Sequence, residues 1–247
     1  MYIAKYSASG NDFVIFHTFV KKDRSSLAKG LCNRFESVGA DGLIVLLPHS
    51  EHDFEWQFYN ADGSVAMMCG NGSRAAAHYA FENGIASSSM KFLTGAGVIG
   101  AVVEENMVQS DLTPPIIHEK NIDAFSKNWW LIDTGVPHLV ALLDDISEFD
   151  LSQARELRDR YNANVNIAMI KDGKIYVRTY ERGVEDETQA CGTGMAAAFY
   201  RAVEENLCPN SIEVIPTSGE TLYLGMSMQT ITFKGSVRKT FETIVKQ

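Results

Sequence analysis

Short apolar runs recur along this chain, and two alanine-rich stretches interrupt them. Phe13 to Phe19, Gly42 to Leu47 and Phe54 to Tyr59 are rich in β-branched and aromatic residues and read as strands. Between them, Ala28, Leu31, Cys32 and Phe35 fall on one face at helical spacing, predicting a helix over Leu27 to Phe35. Val98 to Leu112 reads as a hairpin turning near Glu105-Asn106, and Thr113-Pro114-Pro115 follows as the best linker, since consecutive prolines continue neither regular structure. The scheme then repeats. Trp129 to Asp133 and His138 to Leu143 are expected strands, Leu151 to Tyr161 a helix, and Asp172-Gly173 the turn of a second hairpin. Ile212 to Val245 is strand-rich. The alanine runs after Cys69 and Cys191 predict two more helices, one ending at Asn83-Gly84 and the other at Asn206, shortly before Pro209.

The repetition extends to residue identity. One copy reads Cys69-Gly70-Asn71-Gly72-Ser73-Arg74-Ala75-Ala76-Ala77, the other Cys191-Gly192-Thr193-Gly194-Met195-Ala196-Ala197-Ala198. Sliding the first onto the second by about 122 positions brings Cys69, Gly70, Gly72, Ala75, Ala76, Ala80 and Glu82 onto identical residues. Tyr59-Asn60 and Tyr180-Glu181 stand upstream of the two copies, and Thr94-Gly95-Ala96-Gly97 and Thr217-Ser218-Gly219 downstream.

Each motif puts a cysteine where a glycine turn meets a helix start. A helix N-terminus presents unpaired N–H groups and about half a positive charge. A thiol there can fall from a pKa of about 8.5 into the range of about 3.5–7.5, and the same N–H groups can bind a carboxylate. Two such sites suit removing a proton from one face of a carbon and returning one to the other. The backbone N–H groups of Gly70, Asn71, Gly192 and Thr193 are the candidate donors to a substrate carboxylate, standing in for an electron sink. No lysine-containing pyridoxal phosphate signature is evident, so no cofactor is expected. Cys32, on its helical face, and Cys208, beside a proline, read as small core residues.

Composition narrows the class. The chain has 247 residues, 45% hydrophobic and 21% charged, which fits a globular protein of one large or two smaller domains; the repeat favours two. A formal charge of −9 argues against a nucleic-acid partner, and no apolar run reaches the ~18 residues that span a bilayer. Four cysteines without a signal peptide suggest a reducing compartment, the cytoplasm, rather than a disulfide framework. The scattered histidines and the lack of a CxxC pair leave no expected metal site.

The motifs, taken in order, resemble those of the diaminopimelate epimerase family. Lys5 to Phe13, ending Gly10-Asn11-Asp12-Phe13, resembles its N-terminal GNDF segment, and Gly39-Ala40-Asp41-Gly42 its GxDx turn. Asn60-Ala61-Asp62-Gly63-Ser64 followed by the Cys69 motif, then Thr134-Gly135-Val136-Pro137-His138, Asn164-Val165-Asn166, and Tyr180-Glu181-Arg182-Gly183 through Glu187 to Gly194 complete the pattern nearly end to end. The resemblance implies an α+β fold of two pseudo-symmetric domains, each a curved mixed or antiparallel sheet wrapped around a central helix. One domain would take residues 1–113 with C-terminal strands at about 237–247, the other residues 114–236, with the active site in the cleft between them. It implies cofactor-independent epimerisation of LL-diaminopimelate to the meso form, on the route to lysine and peptidoglycan precursors, by a homodimer. Cys69 and Cys191 would be the acid–base pair. Asn11, Asn60 and Asn166 would contact the far end of the substrate and Arg182 its distal carboxylate, while Glu181 and His138 would tune proton transfer and the α-amino group. Val136 and Gly42 depart from the pattern, for many members carry Asn and Gln there.

Other readings remain open at this point. A proline or hydroxyproline racemase shares the two-thiol logic but has no use for a distal carboxylate clamp, against which Arg182 and the three asparagines stand. A non-catalytic amino-acid-binding protein or a phenazine-synthesis-like isomerase would have one or both cysteines replaced. A reversible Cys69–Cys191 disulfide would be compatible with catalysis.

Overall fold

A computed structural model describes residues 1–227 and 229–246. Gln247, the last residue of the expected C-terminal return, lies outside the described residues. Two compact units emerge, Met1–Asp111 with Gly235–Gln247 and Leu112–Lys234. The first holds β1 (Tyr2–Ala8), β2 (Asn11–His17), α1 (Ser25–Cys32), β3 (Gly42–Leu47), β4 (Phe54–Asn60), α2 (Gly70–Glu82), β5 (Ser89–Thr94), β6 (Gly97–Glu104) and β7 (Met107–Asp111). The second holds β8 (Ile116–Ala124), β9 (Lys127–Asp133), β10 (Pro137–Leu142), α3 (Leu151–Tyr161), β11 (Asn164–Lys171), β12 (Lys174–Glu181), β13 (Asp186–Thr188), α4 (Gly192–Glu204), β14 (Ser211–Pro216), β15 (Leu222–Ser227) and most of β16 (Thr230–Ser236). β17 (Arg238–Ile244) returns to the first unit and pairs with β1.

The repeated sequence is a repeated topology. β2 runs parallel to β3 and β4 to β5, while β1–β2, β3–β4, β5–β6 and β6–β7 are antiparallel. In the second unit β10 runs parallel to β11 and β12 to β14, with β9–β10, β11–β12, β14–β15 and β15–β16 antiparallel. Even the outer strands correspond, because β17 lies on β1 as β8 lies on β9.

Period-two patterning in the first unit builds two cores from one set of strands. Ala4, Tyr6, Phe13, Ile15, Ile44, Leu46 and Phe58 point toward α2, and Ile3, Val14, Phe16, Leu43, Val45 and Tyr59 toward α1. α2 is buried from Gly70 through Ala80, which its glycines and alanines allow, since only small side chains let strands close around a helix. α4 repeats this with Gly194 to Phe199 buried, and α3 covers the opposite strand face of its unit with Ala154 and Leu157. The expected α+β class, a sheet around a central helix in each half, is what the chain forms. No helix among the described residues is long and apolar enough to cross a membrane.

Some expected elements shift. α1 stops at Cys32 because the Asn33 side-chain oxygen accepts the N–H groups of Phe35 and Glu36, at 2.9 and 3.1 Å; Phe35 is 99% exposed instead of sharing the core face. β1 was hidden by its polar residues. Lys5 sits in it, 6% exposed, because the Asp12 carboxylate lies 2.8 Å from its ammonium. The two hairpin turns form as expected, with Glu105, Asp172 and Gly173 at positive φ.

Gly42 has no room for a side chain. A Cβ there would lie 2.5 Å from Phe58 Cε2 and 2.8 Å from the Tyr59 carbonyl oxygen. Gly42→Ala should cost about 1–3 kcal/mol of stability. Gly30→Ala, on α1 with nothing near its Cβ, should add about 0.4–1 kcal/mol. Urea unfolding of the two variants decides: equal effects would mean that β3 and β4 separate freely at Gly42.

Candidate active site

In the first unit the site is the start of α2. Cys69 is its N-cap, in extended conformation at φ −155° and ψ 118°, and its Sγ accepts the Gly72 N–H at 3.3 Å. The first intrahelical bond runs from Ser73 N–H to the Cys69 carbonyl, 2.8 Å. The N–H groups of Gly70 and Asn71 find no acceptor among the described residues. Gly72 is needed for packing, because a Cβ would sit 3.3 Å from Ile44 Cδ1 and 3.4 Å from Cys69 Cβ. The Asn71 amide, 4% exposed, donates to the Asn11 side-chain oxygen at 2.8 Å, so two expected substrate contacts are joined directly. Asn60 is exposed and held in its own turn: its amide donates to Ser64 Oγ at 2.9 Å, and Gly63, at φ +82°, closes the loop.

The second unit repeats the arrangement with different polar groups. Cys191 is the N-cap of α4, extended at φ −116° and ψ 106°, with its Sγ 3.6 Å from Thr193 Oγ. The N–H groups of Gly192 and Thr193 also find no acceptor among the described residues. Thr134 anchors this helix start by donating its hydroxyl to the Thr193 carbonyl at 2.9 Å. Gly194 is obligatory, since any Cβ would collide with the Asn166 side-chain oxygen and stand 3.1 Å from Thr179 Oγ.

Asn166 lies beneath that glycine, fully enclosed. Its oxygen accepts the Thr179 hydroxyl at 2.8 Å, and its NH2 donates to the Leu139 carbonyl at 3.0 Å and to His138 Nδ1 at 3.1 Å. That pattern makes His138 Nδ1 an acceptor and leaves the proton on Nε2. His138 is itself fully buried, and its Nε2 finds no partner among the described residues. Burial drives the imidazole down to about 3, with the Arg182 charge adding to the effect, so it is neutral at physiological pH.

Glu181 and Arg182 follow β12. Burial pushes the Glu181 carboxyl up, against the opposing pull of hydrogen bonds from the Thr188 and Cys191 side chains. Glu181 is thus coupled to one of the two motif thiols. The Arg182 N–H donates to the Asn164 side-chain oxygen at 2.8 Å, and its guanidinium to the Asn162 carbonyl at 2.7 Å. No carboxylate pairs with that guanidinium among the described residues. The remaining cysteines differ in kind: burial pushes the Cys32 thiol up to about 11 and raises Cys208 as well.

The structure therefore joins Asn11 to Asn71, His138 to Asn166, and Glu181 and Thr193 to Cys191, while Asn60 stays in its own turn. The sequence reading missed Ser9, Asp41, Arg74, Thr134 and Thr179. Arg74 carried a signal: a long cation inside a run of glycine and alanine has to be paired somewhere in the interior.

Comparison with known proteins identifies the family. A family model described as diaminopimelate epimerase matches residues 3–117 and 130–238. The diaminopimelate epimerase of a Nitratiruptor species is 63% identical over 244 residues, 98% of either chain. That of Campylobacter lari is 52% identical over 239 residues, 96% of either chain. Among solved structures, a probable proline racemase from Agrobacterium radiobacter, with bound carbonate, superposes with a TM-score of 0.76 at 15% identity, covering 99% of this chain and 92% of that one. At that identity the likeness concerns the fold alone. With its family signature matched along most of its length and relatives this similar end to end, the chain belongs to the diaminopimelate epimerase family.

Proposed function

We propose that this chain epimerises diaminopimelate at one Cα, interconverting the LL and meso forms without a cofactor. The observation that carries the reading is the duplicated helix start: a cysteine N-cap followed by two N–H groups with no acceptor among the described residues, once in α2 and once in α4. One sulfur, as thiolate, takes the α-proton, and the other, as thiol, delivers a proton to the opposite face. The products are the inverted carbon, one thiol and one thiolate, so the enzyme is left ready for the reverse reaction. The carbanion spreads charge onto the substrate carboxylate. Gly70, Asn71, Gly192 and Thr193 N–H groups stabilise it there, commonly worth about 3–4 kcal/mol for each such donor.

The side chains assign the remaining roles. Glu181, with its affinity for a proton raised by burial, shares the proton of Cys191 and helps generate its thiolate. His138 acts as a neutral Nε2–H donor, its tautomer held by Asn166 and Thr179. Arg182, whose planar fork meets no carboxylate among the described residues, takes the distal carboxylate of the substrate. A ring amino acid such as proline offers it nothing. The same reading makes the protein a cytoplasmic homodimer supplying lysine and cell-wall precursors.

In deuterated water, solvent deuterium should enter Cα of LL- and meso-diaminopimelate and not of proline. Cys69→Ala and Cys191→Ala should each lower epimerisation at least about a thousandfold. Full rates in either variant, or labelling of proline instead, would discard the two-thiol reading.

His138 makes a separate prediction. Its folded pKa lies near 3 and its unfolded one near 6.5, so between these values the unfolded chain binds a proton that the folded chain does not. Stability is therefore lost as pH falls through that window. His78, also lowered by burial, adds with the same sign. Replacing His138 by Gln removes its share, and the urea midpoint should fall less between about pH 7 and pH 5 than in the parent. Parallel curves for the two proteins would refute an enclosed neutral imidazole.

A further inference from the structure

The first unit contains a polar chain that the proposed chemistry does not use. It begins at Arg74, fully buried in α2, whose Nη2 donates to Asn71 Oδ1 at 2.8 Å. Asn71 Nδ2 donates to Asn11 Oδ1 at 2.8 Å, and Asn11 Nδ2 donates to Asp41 Oδ2 at 3.0 Å. We propose that Arg74 and Asp41 are positioning residues that set the polarity of the Asn71–Asn11 amide pair and so fix the donor and acceptor that Asn11 offers to the substrate. This inference rests on the epimerase reading for the identity of the ligand, but the relay is a property of the chain itself.

The argument turns on what each end can do. An asparagine amide is nearly symmetric in shape, so sterics alone leave its oxygen and nitrogen interchangeable. A guanidinium only donates and an ionised carboxylate only accepts. Placed at opposite ends of two amides, they permit one arrangement. Flipping Asn11 would set its oxygen against the Asp41 carboxylate and its NH2 against that of Asn71. Flipping Asn71 would set its NH2 against the buried guanidinium. Every flip exchanges two hydrogen bonds for two like-dipole contacts.

Both ends are braced. Asp41 Oδ1 receives Arg34 Nη2 at 2.7 Å, while Arg34 also grips Asp12 with both nitrogens, at 2.7 and 3.0 Å. Asp12 and Asp41 exchange backbone-to-carboxylate bonds at 3.1 and 2.8 Å. The Asp12 carboxyl lies at about 2: burial opposes ionisation, but Arg34 and Lys5 outweigh it and keep Asp12 ionised. At the other end, Arg74 Nη2 also donates to Ser9 Oγ at 2.7 Å, and Asn71 Nδ2 reaches the Ser9 carbonyl at 3.5 Å. Ser9 and Gly10 hold the β1–β2 turn at φ +48° and +86°, which brings Ser9 over the start of α2. Asn11 stays half-buried, with one amide hydrogen and one oxygen lone pair unused among the described residues. The relay decides which of these lies beside Asp41 and which beside Asn71.

The test uses Asp41→Asn, which keeps size while letting the end group donate or accept, and Arg74→Lys, which keeps charge but loses the fork. The Asp41 side chain is 40% exposed, so its neutralisation leaves the fold intact. In the full-length protein, Asp41→Asn should raise the KM for diaminopimelate about tenfold, the worth of one hydrogen bond, and change kcat far less. The side-chain NH2 signals of Asn11 and Asn71 in ¹⁵N-labelled protein, assigned by Asn11→Ala and Asn71→Ala, should exchange slowly with solvent in the parent. Those of Asn11 should exchange quickly in Asp41→Asn and those of Asn71 in Arg74→Lys, while the backbone amides of β1 and β2 stay protected. Asp41→Glu should recover most of the lost affinity. Unchanged NH2 exchange in both variants would overturn the relay. Altered exchange with no turnover of diaminopimelate by the parent would leave the relay standing and remove the epimerase reading instead.

Discussion

An α-helix that begins inside a protein carries N–H groups that its own turns cannot satisfy, and this fold contains two such beginnings. Burying a donor without a partner costs about 1–3 kcal/mol, so native chains supply an acceptor nearby or leave the position to a ligand. At α2 one cysteine sulfur accepts the Gly72 N–H, and the N–H groups of Gly70 and Asn71 have no acceptor among the described residues. At α4 those of Gly192 and Thr193 likewise have none there, and the sulfur faces Thr193 Oγ and Glu181. The requirement for a small, closely packed helix start explains the glycines, the alanines that follow, and the strands that close around each helix.

The duplication is close in topology and loose in chemistry. Each half contributes a thiol at the same structural position, yet the groups around the two sulfurs differ. Cys69 is tied to its own helix by the Gly72 backbone N–H. Cys191 is coupled to a carboxyl whose proton affinity is raised by burial, which makes proton sharing with a thiol feasible. The duplication keeps the thiol at the helix start and varies what surrounds it.

Much of this was legible in the residues. The Cys-Gly-x-Gly repeats put both N-caps at the right position, and the period-two runs found β2, β3, β4, β9 and β10. Strands that break the rule were missed for specific reasons. β1 carries a buried lysine compensated by Asp12, a residue far enough along that no local pattern reveals the pairing. β8 is mostly exposed and irregular in register, so its Ile-Ile-His-Glu-Lys run shows no clean alternation. Asn166 was expected to meet a substrate, but it lies enclosed under Gly194 by a contact across elements that spacing cannot express. The buried Arg74 was visible in the sequence, while its partners Ser9 and Asn71 emerge only from the close approach of the β1–β2 turn to α2.

The two departures from the family pattern take on meaning within the repeat. Phe13 pairs with Gly42 across β2 and β3 as His138 pairs with Asn164 across β10 and β11. In that frame Asn11 corresponds to Val136, and Gly42 to Asn164. An amide occurs once in each pair, and on opposite halves. Asn164 spends its amide inside the protein, on the Pro137 carbonyl and the Arg182 N–H, setting the backbone from which the Arg182 side chain departs. Asn11 keeps part of its amide unspent. The duplication is therefore broken at these paired positions while both cysteines are kept: one half commits its amide to the backbone that carries Arg182, and the other leaves part of its amide unused among the described residues.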